Sequence, residues 1–326
     1  MRRQRIVKEA VMKSVCWKMI CIVSGLGLIL SGCGKSADEN RPEEKVIEGI
    51  EALSTERPQL TTRHVTTEEM TIEEITTEAV KEPEVITGLE KQLTDLMSGQ
   101  KEKGMQIAVY VEKLSDEAYV SFYNGQMPAG SLIELFVAGC IYEQKDTLMD
   151  TGNSQENIEA LVRKMIAAGD GNAADSLVKM LGKGEAAAGM KMVNDYCAAH
   201  GFDATSMGKQ VMDSSVESNN YTSVRDCSRF LKLVYNSRLS GSESILGYMK
   251  QHEIRTGIPS AFSGGTSVAN KASGLDNTVH DVAIIYEEDN NYTLCIMISD
   301  LTDAAAGRSA ISDISSQVNE YMKKGN

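Results

Sequence analysis

The sequence predicts an α+β fold: one antiparallel sheet flanked by helices, joined to an all-helical subdomain. Three observations carry this. Strand-like alternation occurs near both ends of the folded part, and helical periodicity fills the stretch between them. The last two strand segments are split by the polar run Glu287-Glu-Asp-Asn-Asn291, a hairpin loop that makes its neighbours antiparallel.

The elements follow in order. Leu89, Leu93, Leu96 and Met97 keep helical spacing. Residues 105–111 and 118–123 are predicted strands, joined by the turn Ser115-Asp-Glu117. Ile158, Leu161, Val162, Met165 and Ile166 form the i, i+3, i+4, i+7, i+8 stripe of an amphipathic helix. A further helix is expected to start at Thr222 as N-cap and to bury Val224, Cys227, Leu231 and Val234. Strands are expected over 268–271, 282–286 and 292–298, and a closing helix over 305–322.

Composition limits the partners. The chain has 326 residues, 42% hydrophobic and 24% charged, with a formal net charge of −13. Residues 1–33 hold six Lys/Arg and one acid, residues 34–84 hold six and fourteen, and the remainder stays acidic. An acidic body has no basic face with which to displace counterions, which argues against nucleic acid as a partner. The single long apolar run near the start excludes a polytopic membrane protein.

That start resembles an export signal. Arg2, Arg3, Arg5, Lys8, Lys13 and Lys18 precede an apolar run over 19–30, and Leu30-Ser-Gly-Cys33 follows. The tetrapeptide resembles a bacterial lipobox, which implies a diacylated Cys33 as the new N-terminus. The expected location is the outer face of the cell membrane, with the lipid on Cys33 as anchor, because two acyl chains hold stably where one does not. Residues 34–84 are dominated by Thr and Glu and lack periodicity, the pattern of a disordered tether. The packed domain is expected over 85–326.

Cys140, Cys197, Cys227 and Cys295 lie in apolar contexts without any CxxC, so buried free thiols are expected. His64, His200, His252 and His280 are scattered, which gives no metal-ligand spacing. Met190, Met192 and Val193 fit a helix face rather than a cofactor site, and no cofactor is expected. His280 is placed just before a strand, in a structural role.

Four segments in this order resemble the class A β-lactamase and penicillin-recognising serine hydrolase family. Met127-Pro-Ala-Gly-Ser131-Leu-Ile-Glu134 resembles the nucleophile motif Ser-x-x-Lys at the start of a buried helix. Gly169-Asp170-Gly171 lies where the family shows Ser-Asp-Asn, and 220–226 resembles its helix after the Ω-loop. Lys271-Ala272-Ser273-Gly274 resembles Lys-Thr-Gly on a strand, with His280-Asp281 opening the next. The resemblance implies a β-lactamase/transpeptidase-like fold over roughly 88–324.

The same resemblance exposes departures. An unactivated hydroxyl is a poor nucleophile, and the family places a lysine three residues along to accept its proton. This chain has Glu134 there. Gly169 and Gly171 replace the family's proton-shuttling serine and substrate-holding asparagine, Asp170 is retained, and Ala272-Ser273 replaces Thr-Gly. Asp213 and Glu217 fall near the deacylating glutamate's region without its spacing. Ser131, Glu134, Asp170 and Lys271 are thus candidate or vestigial catalytic residues, and Gly169, Gly171, Ala272 and Ser273 candidate substrate contacts. The expected consequence is a direct or water-bridged ion pair between Glu134 and Lys271 across the old pocket; the competing expectation turns Glu134 to solvent, with Ser131 capping a helix.

Two functions follow. One is a non-catalytic binding or scaffolding lipoprotein that recognises peptidoglycan, a peptide or another envelope protein. The other is a serine hydrolase of β-lactams, esters or wall peptides that uses Ser131 with a non-standard base.

Overall fold

The structure is a computed structural model that describes residues 83–324 apart from 102–103, 216–218, 264, 276 and 289. The expected signal peptide, Cys33, His64, Glu217 and nearly all of the expected tether lie outside the described residues. Helix α1 (Thr87–Lys101) leads into strands β1 (Gln106–Lys113) and β2 (Tyr119–Phe122), and the short β3 (Met127–Pro128) follows. A 3-10 turn over Gly130–Leu132 opens α2 (Ile133–Glu143). The helical subdomain continues through α3 (Lys145–Asp150), α4 (Gln155–Arg163), a π-helical turn over Lys164–Ala168, α5 (Gly171–Leu181) and α6 (Ala186–Ala199). Short β4 (Tyr221–Thr222) precedes α7 (Val224–Tyr235) and α8 (Ser242–Lys250). The chain then returns as β5 (Ser267–Leu275), β6 (Thr278–Tyr286), β7 (Tyr292–Ser299) and α9 (Ala304–Lys323).

Five strands make an antiparallel sheet in the order β2-β1-β7-β6-β5, so the N-terminal hairpin closes on the C-terminal strand. Both faces of the sheet are covered. Ile107, Val109 and Val111 of β1 pack with Leu89, Leu93, Ile311 and Ile314 of α1 and α9. Ala108 of the same strand, with Ala269, Val282, Ile284 and Met297, packs against the helical subdomain. This is the two-residue period of a pleated strand read out as two cores.

Helix α2 is buried from Ile133 through Tyr142 without interruption, as expected of a helix apolar on all sides. Glu134 is the charged exception. Polar side chains close the helix starts around it. Ser154 accepts from Asn157 N–H at α4, and Asp170 from the N–H groups of Asn172 and Ala173 at α5.

Three expectations need correction. Thr222 does not cap α7; Ser223 does, accepting from Asp226 N–H at 3.1 Å. Thr222 instead pairs with Met127 across β3–β4, and its buried hydroxyl meets that of Thr205 at 2.8 Å. Strands β5 and β6 run longer than predicted, to Leu275 and from Thr278. The apolar pattern fails there because buried residues such as Ser273, His280 and Asp281 are polar and hydrogen-bonded inside the protein. His280 is therefore inside β6, donating Nε2–H to Pro128 O at 2.8 Å and accepting Ile298 N–H at Nδ1. The stripe ending at Ile166 is helical, but its last turn widens to π geometry. Cys140, Cys197, Cys227 and Cys295 are free and buried.

Candidate active site

The amino end of α2, the π turn and strand β5 converge on Lys271. Strand alternation sends Lys271 and Ser273 to the helical face of β5 and Ala272 and Gly274 to the other. Lys271 is fully buried, and its Nζ lies 2.6 Å from Glu134 Oε2, also fully buried. Nζ donates to Met165 O at 3.0 Å, a carbonyl presented by the π turn. Such turns often mark functional positions because they displace backbone groups from the regular ladder.

The ion pair expected from sequence is thus direct, and Glu134 does not face solvent. Ser131 is half-buried in the 3-10 turn and caps nothing, since α2 starts without a side-chain cap. Lys271 Nζ and the Ser131 hydroxyl are the donors beside the Glu134 carboxyl among the described residues. Burial pushes the Glu134 carboxyl above the usual range, against the opposing pull of Lys271 and the Ser131 hydroxyl.

Ser273 occupies a second key position. Its hydroxyl accepts the Ser131 N–H at 2.8 Å. That N–H stands at the start of α2 and would face a developing oxyanion on any acyl group attached to Ser131. The position carries a side chain where the resembling motif has glycine, and the side chain has taken the donor.

Both glycines of the middle segment have local reasons. Gly169 has φ +71°, a left-handed conformation costly to residues with a Cβ, and a Cβ there would lie 3.8 Å from Lys271 Nζ. A Cβ at Gly171 would lie 2.6 Å from Met212 Sδ and 3.1 Å from Val211 Cγ1. The loop bearing those two residues is held by Asp175, which accepts from Val211 N–H at 2.6 Å and from Met212 N–H at 3.2 Å. Methionine from the loop therefore stands where the motif's asparagine side chain would begin. Asp170 braces the start of α5. Asp213 engages its own loop, accepting from Ser215 N–H and Oγ at 2.9 and 2.6 Å.

Sequence reading missed two groups. His252, buried, donates Nδ1–H to Ile166 O at 2.8 Å and accepts Ala272 N–H at Nε2 at 3.1 Å. Burial, with Lys271 nearby, lowers its pKa to about 4, so the ring is neutral and ties α8 and the π turn to the edge of β5. The second is a chain of polar groups in which Arg255 donates to Asn270 Oδ1 at 2.7 Å and Asn270 Nδ2 to Asp281 Oδ1 at 2.9 Å. Burial raises the Asp281 carboxyl to about 7. Neither group carries a local motif; only the fold assembles them.

On the Ala272–Gly274 side of β5 a cavity of about 340 Å3 opens, lined by Ile254, Thr256, Ala272, Val279 and Arg308 among others. Its lining mixes apolar Ile254, Val279 and Ile311 with the exposed Arg308 and the buried Asp281, the composition of a small-ligand pocket.

Comparison with known proteins follows the same lines. The profile described as "Beta-lactamase enzyme family" matches residues 147–322, more than half the chain, beginning after the Ser131 segment. No curated protein sequence matches the chain. Among solved structures, that of PBP-A is 19% identical, with a TM-score of 0.64, covering 74% of this chain and 98% of its own. A beta-lactamase from Sphaerobacter thermophilus DSM 20745 is 17% identical with a TM-score of 0.61, covering 71% and 97%. The class A beta-lactamase from Mycobacterium abscessus is 16% identical with a TM-score of 0.61, covering 72% and 99%. At these identities the likeness is one of fold.

Proposed function

The chain belongs to the beta-lactamase enzyme family, and from that premise we propose that it has exchanged catalysis for binding at the cell envelope. In this reading it is an extracytoplasmic lipoprotein held to the membrane by acyl chains on Cys33, with 34–84 as a spacer and the folded domain as a receptor or scaffold. The carrying observation is the buried Glu134–Lys271 pair at 2.6 Å. A carboxylate neutralised by an adjacent ammonium is a weak proton acceptor for Ser131, and the amine that would serve as base is itself held in the pair. The Ser131 N–H, bound to Ser273 Oγ, supports the same conclusion from the side of the oxyanion.

The ligand seat in this reading is the cavity behind Ala272 and Gly274, which the pair leaves open. Its partner is a component of the envelope: peptidoglycan, a peptide or another protein. The alternative, a serine hydrolase with Glu134 as base, draws support from the raised Glu134 pKa and the nearby Ser131 hydroxyl. It requires Glu134 to leave Lys271 and Ser273 to release the Ser131 N–H.

A fluorophosphonate probe separates the two. The binding reading predicts equal, background labelling of the full chain and of Ser131→Ala, whereas serine-dependent labelling would establish the hydrolase. Radiolabelled palmitate incorporated by the wild type and lost in Cys33→Ala is the outcome expected of the anchor; equal incorporation refutes it.

A further inference from the structure

The contact that disarms Ser131 also brings together the two partners of an amide. An amine nitrogen and a carboxyl oxygen lie 2.6 Å apart, both side chains wholly buried. The carboxyl carbon is one bond further on. Met165 O holds the amine from one side at 3.0 Å. The donors beside the carboxyl among the described residues are Lys271 and the Ser131 hydroxyl, not the two or three backbone N–H groups that hold a buried carboxylate firmly ionised.

We propose that Lys271 Nζ and Glu134 Cδ condense to an intramolecular amide, a covalent staple between β5 and α2.

The atoms balance without a co-reactant. Proton transfer within the pair gives a neutral carboxylic acid and a neutral amine, with no change in total charge. The nitrogen lone pair attacks Cδ, a C–N bond forms and one C–O bond breaks. The departing hydroxyl leaves as water with a proton from nitrogen. The net change is loss of one water from the ion pair.

Three features of the site favour this direction. Burial pushes the Glu134 carboxyl toward its neutral form despite Lys271, so the reactive tautomer lies close to the ion pair. The two groups are fixed on rigid elements, and well-oriented intramolecular partners reach effective molarities of about 10^5–10^8 M. Bulk water, which drives amides back to acids, is excluded from both side chains. Condensation also removes two buried charges, the costly component of a dry ion pair. The staple rests on the same pair as the binding reading and excludes the hydrolase alternative, because an amide leaves Glu134 no carboxylate to act as base; peptide masses read the bond itself, and Ser131 labelling reads the binding role separately.

Tryptic mapping of the denatured full chain tests the bond, whatever processing the amino terminus undergoes. Cleavage elsewhere frees residues 114–145, which hold Glu134, and residues 256–308, which hold Lys271 as their single internal cleavage site. The expected result is one branched product of these two segments, uncut after Lys271 and lighter than their sum by about 18 Da, the mass of one water. The same product should be absent from Glu134→Ala. Complete cleavage after Lys271, with segments 114–145, 256–271 and 272–308 all at their sequence masses, overturns the proposal. Because the wild type alone gives that answer, it does not depend on whether Glu134→Ala folds.

Discussion

Replacing Glu134 by lysine restores the residue of the motif and provides a demanding test of the site. Glu134 and Lys271 are both fully buried with 2.6 Å between their charged groups, so the variant places two amines in one dry volume. Both cannot stay protonated there. Holding one lysine neutral at pH 7 costs about 4–5 kcal/mol, from an ordinary pKa of about 10.4 and about 1.4 kcal/mol per pH unit. This agrees with the roughly 3–5 kcal/mol lost when one partner of a buried pair is removed. For a domain of this size the melting temperature should fall by about 8–20 °C. The pH dependence has a definite sign. The folded pKa of the buried lysine lies below its unfolded value, so the unfolded state binds more protons and stability rises with pH until about 10.4. Thermal unfolding by circular dichroism at pH 7 and pH 9 reads both effects, and nitrocefin hydrolysis reads any recovered activity. No substantial turnover is expected, because Gly171 still carries Met212 in place of an asparagine and Ser273 still holds the Ser131 N–H. An unchanged melting temperature would refute the electrostatic reasoning, and robust nitrocefin turnover would show that the losses at 169 and 171 matter little.

Two further outcomes follow from the surroundings of the pair. Gly169→Ala should destabilise the domain by about 1–2 kcal/mol, the cost of a Cβ at φ +71°, with a lowered urea midpoint and an unchanged slope; no loss would mean that this turn relaxes freely. His252, lowered to about 4 in the folded state, binds fewer protons there than when unfolded, so its contribution is complete above about 6.5 and is lost as pH falls toward 4. The stability difference between pH 7 and pH 4.5 should therefore be smaller in His252→Gln than in the wild type, and equal differences would contradict the assignment.

The fold was legible because its two cores follow simple periods. The alternation through Ile107, Ala108 and Val109 divides them between opposite faces of the sheet. The stripe from Ile158 to Ile166 specified helix, though nothing in it marked the π turn that presents Met165 O and Ile166 O. Legibility failed where buried polar groups satisfy one another across long separations. His280 and Asp281 interrupt the apolar pattern of β6, yet belong to the strand because Pro128, Ile258 and Asn270 complete their hydrogen bonds. At the site, the charge reversal at Glu134 raised pairing with Lys271 as one of two expectations, and only the fold decided against the one that turned Glu134 to solvent. Ser273 was recognisable only as a side chain in place of glycine, and its bond to Ser131 N–H needed the register of β5 against the start of α2. Met212 could not be foreseen, since its place over Gly171 depends on Asp175 holding the loop.

A penicillin offered to the purified full chain at high concentration and for many hours decides whether the hydroxyl of Ser131 retains chemistry. Intact mass and peptide mapping after acid quench should find Ser131 unmodified, because its would-be base is paired and its oxyanion donor is occupied. A penicilloyl adduct on Ser131, absent from Ser131→Ala, would contradict the account.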